Sequence, residues 1–261
     1  MRKYRHIILC VAASWWLLMD LPRQPDGRAD TRNAPRVKGQ RVLGWFPLLA
    51  TLNGLILALS GVLVEALSNR YVGAAAFALV TLVYLAVRHS GRGWVTLVSW
   101  VLNLRDGYGV LEALSAARSE RSELDREWGG TVTAILAIVL LLVLFLTGLF
   151  GAPYFIAAVL VCSSVVRGQL LLIVPPEDGG VADQRWIGRL IMWLAAASIL
   201  TAWFFFFPVG TVMAAVATLL AMCWIGGGRR RAIAVFGSDM ALWTNAAAEV
   251  LMLVFGMLPT I

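Results

Sequence analysis

The stretch PVGTVMAAVATLLAMCWIGGGRRR, residues 208–231, decides the class of fold. From Pro208 to Gly226 it holds no charged residue, and it then closes on Arg229, Arg230 and Arg231. A helix needs roughly 20 predominantly apolar residues to cross the hydrocarbon of a bilayer. Basic residues collect beside the ends of such spans on the cytoplasmic side. Six further apolar stretches follow the same plan: 42–68, 71–87, 131–150, 153–175, 186–207 and 241–259. The connections at 69–70, 151–152 and around Pro208 are tight, whereas those at 20–41, 88–130, 176–189 and 227–240 are long and charged. With 20–41 in the cytoplasm, every tight turn falls outside and every long loop inside. Of the 22 Lys and Arg, Arg70 alone then lies in an outside loop and Arg167 alone lies deep in a span. The expected fold is all-α: a polytopic membrane helix bundle of about seven transmembrane helices, in a bacterial inner membrane, with its long loops cytoplasmic.

Composition agrees. Hydrophobic residues make up 60% of the 261 and charged residues 14%, below the roughly 25% charged of soluble domains. The net charge of +7 sits at the proposed inner face, where anionic lipid headgroups account for it. No basic patch is interleaved with aromatics, so nucleic acid is not an expected partner; membrane lipid is. Trp45, Trp94, Trp128, Trp186 and Trp224 lie near span ends, where indole rings favour the interface. Cys10, Cys162 and Cys223 stand in apolar stretches at unrelated spacings, unlike a zinc site or a structural disulfide. His6 and His89 are too few for a histidine-rich metal cluster, which leaves a hard cation held by carboxylates as the metal chemistry open to the chain.

Residues 1–41 form a first unit, and 42–261 the helical domain with its cytoplasmic loop 88–130. Arg2, Lys3 and Arg5 precede an apolar run from Ile7 to Met19 that resembles a signal peptide but lacks a small-x-small cleavage pattern. The run is short for a span and reads as a re-entrant or interfacial helix. Residues 23–41 read as a basic arm. The segment 93–104 is too short to cross and reads as a helix at the inner face. Alternating charge over 105–127 reads as a solvated helix laced with ion pairs. In span 42–68, Asn53, Gly54 and Gly61 are small enough to let helices approach closely.

Two ionisable residues stand inside apolar spans. Arg167 is central in 153–175 and Glu249 central in 241–259, each costing about 2.5–3.5 kcal/mol or more on insertion scales. They either pair with each other, or with Asn245, to hold the bundle, or line a polar cleft together with Asp239.

The order of features resembles the cobalamin synthase family, the adenosylcobinamide-GDP ribazoletransferases. The similarity covers almost the whole chain. It runs through Leu21-Pro22, Trp45-Phe46-Pro47-Leu48 with Gly54, Asp125 with Gly129, Arg167-Gly168, Pro176-Glu177 with Gly179-Gly180, and the acids Asp239 and Glu249. The resemblance implies a membrane transferase that joins α-ribazole or its phosphate to a nucleotide-activated corrinoid, adenosylcobinamide-GDP, and releases GMP. It implies Mg²⁺ on Asp106 and Asp125, which would also be catalytic, and substrate contacts from His89, Arg167, Glu177, Asp239 and Glu249.

The chain departs from the family where the family holds its cation, in the pattern H-x-D-G-x-x-D-x-x-D-G. Counting from Phe46 puts His89 on the histidine, with Gly91, Val95 and Val98 at the aspartates. Counting back from Asp106-Gly107 keeps one aspartate and puts Ser99 and Asn103 at the others. Val166 and Ser238 also replace the family's Ser and Gly beside Arg167 and Asp239. Neutral oxygens coordinate a cation without neutralising it, and phosphoryl transfer needs that charge. Two readings follow: an active, divergent transferase, and a non-catalytic homologue serving as a structural or assembly subunit among other membrane proteins. A small transporter is a third, but the paired broken helices of such folds are not seen in the sequence.

Overall fold

The structure is a computed structural model, and it describes residues 8, 11–12, 14–15, 43–88, 129–150, 152–173, 185–226 and 238–257. Among these residues everything regular is helical. Seven helices of 18–22 residues follow in order: α1 (Phe46–Leu67), α2 (Arg70–Arg88), α3 (Gly129–Leu149), α4 (Ile156–Ile173), α5 (Arg185–Phe204), α6 (Pro208–Gly226) and α7 (Ser238–Met257). A single 3₁₀ turn, Pro153–Phe155, leads into α4. All seven apolar stretches are therefore helices. Four segments, Phe46–Leu67, Pro153–Leu170, Ile187–Phe204 and Pro208–Ile225, are long and apolar enough to cross a membrane. The remaining three helices hold shorter apolar segments, Arg70–Ala86, Ala134–Leu149 and Thr244–Val254. Ile8, Val11, Ala12, Ser14 and Trp15 are helical, with Val11 packed on the core. The helix expected over 93–104, the charged run 105–127 and the basic arm 23–41 lie outside the described residues.

Local chemistry sets the helix ends. Pro47 sits in the first turn of α1, where its missing N–H costs nothing. Asn69 caps α2: its side-chain oxygen accepts the Val72 N–H at 3.0 Å. The end of α3 is closed by the Ala152 N–H on the Thr147 carbonyl at 3.0 Å, a six-residue closure of the kind that ends many helices. Between α5 and α6 the N–H groups of Phe206 and Phe207 both reach the Trp203 carbonyl, and Pro208 opens the next helix.

These turns gather at one end of the bundle. Gly54 meets Ala157 while Gly168 approaches Leu43, so α1 and α4 are antiparallel. Gly61 and Gly73 bring α1 and α2 together, and Gly148 lies against Ala74 of α2. Phe155 and Phe207 have ring centroids 5.5 Å apart, which places the α5–α6 turn beside the start of α4. The helix ends at Arg88 and Ile173 lie at the other end.

Helix α4 is the axis. It packs against α1, α5, α6 and α7, and from Ala152 to Leu170 Tyr154 alone is not buried. The peripheral helices turn apolar side chains outward: Leu48, Leu52, Ile56, Leu59 and Leu63 form one exposed stripe on α1. The opposite face of α1 buries Leu49, Ala50, Asn53, Gly54, Leu57, Ala58 and Gly61. In lipid the apolar outer face gains nothing by being covered, so association rests on close contact and hydrogen bonds between inner faces. Gly54 is the sharpest case, because a Cβ there would fall on the backbone of Ala157.

Candidate functional site

The polar groups of the described core converge on α4 and its neighbour α7. Ser163, Ser164, Arg167 and Gln169 of α4 are buried, as are Thr244, Asn245 and Glu249 of α7. The Ser163 hydroxyl donates to Oε1 of Glu249 at 2.9 Å, tying together residues 86 apart in sequence. Arg167 stands one helical turn after Ser163, and Asn245 one turn before Glu249, so the i, i+4 relation puts each on the same face as its partner. The Ser164 hydroxyl turns back instead to its own helix, at the Val161 carbonyl. Arg167 is 7% exposed and Glu249 2%, and both make further polar contacts. A charge this deep in an apolar bundle persists where neighbouring polar groups offset its desolvation.

Two smaller polar contacts flank the seam. The Cys162 thiol meets the Thr218 hydroxyl, which itself donates to the Ala214 carbonyl at 2.8 Å. Between α1 and α2 the Asn53 amide donates to the Tyr84 hydroxyl at 3.0 Å. Asn53 therefore acts as a hydrogen-bonding group as well as a small residue.

Of the residues proposed from sequence, Arg167 and Glu249 are brought onto two packed helices. Asp239 lies in the first turn of α7, with its side chain outside the described residues. His89, Asp106, Asp125 and Glu177 lie outside the described residues altogether. Among the described residues no three His, Cys, Asp or Glu side chains come together, and the two acids assigned to Mg²⁺ are not among those residues. The Asn245 side chain makes no hydrogen bond to Arg167 or Glu249. Ser163, which the sequence reading passed over, supplies the contact that orders Glu249; its signal was its position one turn ahead of Arg167.

No family model, curated protein or solved structure matches the chain.

Proposed function

We propose that the protein is a membrane transferase of the adenosylcobinamide-GDP ribazoletransferase type, embedded in a bacterial inner membrane with about seven crossings. The long loops face the cytoplasm in this reading, and residues 7–19 form a re-entrant or interfacial helix. The observation that carries the proposal is the buried Ser163–Glu249 contact with Arg167 one turn away. Two residues on which the resemblance rests, far apart in sequence, thereby share one polar seam on packed helices. In this reading Arg167 offers positive charge to phosphoryl oxygens, and Glu249 with Ser163 holds a polar wall beside it. The loop acids Asp106 and Asp125 would hold Mg²⁺, which when bound neutralises charge on the pyrophosphate.

The test is Mg²⁺-dependent GMP release by the purified protein given adenosylcobinamide-GDP and α-ribazole or its phosphate. Release that is lost in Asp106→Ala supports the transferase. Release that is unchanged in Asp106→Ala removes that aspartate from the site. The altered aspartate pattern favours a second reading, a non-catalytic subunit of a membrane complex. No release from a folded, Mg²⁺-supplied sample, together with a membrane protein co-purifying at fixed ratio, would replace the first reading with this one.

A further inference from the structure

Asn245 is 3% exposed, and neither its Nδ2 nor its Oδ1 has a hydrogen-bond partner. Several buried polar side chains elsewhere in the bundle are satisfied; the Thr81 and Thr211 hydroxyls are not, but Asn245 alone leaves both a donor atom and an acceptor atom unpaired among the described residues. Thr147 and Thr218 each donate to the carbonyl four residues earlier, and the Asn53 amide reaches Tyr84. Asn245 does neither, although α7 packs against α4, α6 and α3. A buried amide without a partner costs about 1–3 kcal/mol by mutational measures, and more against pure hydrocarbon. One helical turn along the same face lies Glu249, whose carboxyl has room for about four hydrogen bonds and takes one from Ser163 at 2.9 Å beside its further polar contacts.

We propose that Asn245 holds an internal water molecule that it shares with the Glu249 carboxyl. Side chains at i and i+4 start about 5–6 Å apart at Cβ, a gap that one water oxygen bridges. Internal waters typically make about three hydrogen bonds to otherwise unsatisfied buried groups. Here the water accepts from Nδ2 and donates to the carboxyl, and Oδ1 takes a second O–H. The site gives the centre of α7 a hydrated carboxyl in an otherwise apolar bundle, and it stands independently of the transferase reading.

The experiment is water-edited solid-state NMR on the full-length protein in liposomes, following magnetisation passed from water protons to asparagine side-chain nitrogens. Thr244–Asn245 is the one Thr-Asn pair in the chain, so paired isotope labels identify Asn245 in the unmodified protein. Exposed Asn69 is the wet reference, and buried Asn53, bonded to Tyr84, is the dry one. Asn245 is expected to gain signal nearly as fast as Asn69 and several-fold faster than Asn53. A rate matching Asn53 would overturn the site. In Glu249→Leu the transfer to Asn245 should fall several-fold, and an unchanged rate there would overturn the sharing. Where that variant does not fold, the unmodified protein alone decides whether the water is present.

Discussion

At the scale of single residues, the buried Ser163–Glu249 contact is the most exposed to substitution. Ser163→Ala removes the donor and leaves the Glu249 carboxyl short of a partner, a loss of about 1–3 kcal/mol. Glu249→Gln keeps an oxygen to accept from Ser163 and should melt close to the parent, whereas Glu249→Ala should melt well below it. Thermal unfolding of the three variants in detergent checks the order; equal midpoints for Glu249→Ala and Glu249→Gln would show the contact to be energetically idle. Arg167 and Glu249 were legible in the sequence because an ionisable group in an apolar run is costly and stands out. Ser163 was not, since serine is ordinary on membrane helices and its partner is 86 residues away. The Asn53–Tyr84 bond was hidden for the same reason.

At the scale of elements, the apolar stretches gave the seven helices because an apolar run satisfies its own backbone by coiling, and four of them are long and apolar enough to cross a bilayer. Boundaries shifted where capping chemistry intervened. Helix α2 begins at Arg70 under the Asn69 cap, and α5 ends at Phe204 because the following turn folds onto the Trp203 carbonyl. Asn69→Ala should cost about 1 kcal/mol through loss of that cap, measured as a lower melting midpoint. Two glycines separate packing from bulk. In Gly54→Val the new side chain meets the backbone of Ala157, so α1 and α4 must part, with a loss of about 3 kcal/mol or more. In Gly168→Ala the nearest obstacle is the thioether of Met192, a flexible side chain that can move aside. Size-exclusion profiles and melting points should show Gly54→Val failing and Gly168→Ala surviving; equal tolerance would mean that the α1–α4 contact is loose.

At the scale of the whole molecule, the tight turns lie at one end of the bundle, opposite the helix ends at Arg88 and Ile173. With Cys10, Cys162 and Cys223 replaced by serine, Asn69→Cys should react with a membrane-impermeant thiol reagent on intact cells stripped of their outer wall. Gly228→Cys should react only after lysis, and the reverse pattern would invert the proposed orientation. The sequence showed the long helices of the described residues but not which one is central. Helix α4 differs from the other spans by being the least apolar of the four, a mark of a helix meant to be surrounded by protein rather than lipid. That burial has a consequence for biogenesis. When α4 leaves the ribosome its seam residue Ser163 has no Glu249 to meet, because α7 is the last of the seven described helices to be made. The insertion machinery must therefore shelter α4, or return to it, until α7 emerges, so a truncation just before α7 would strand the axis of the bundle and send the product to membrane proteolysis.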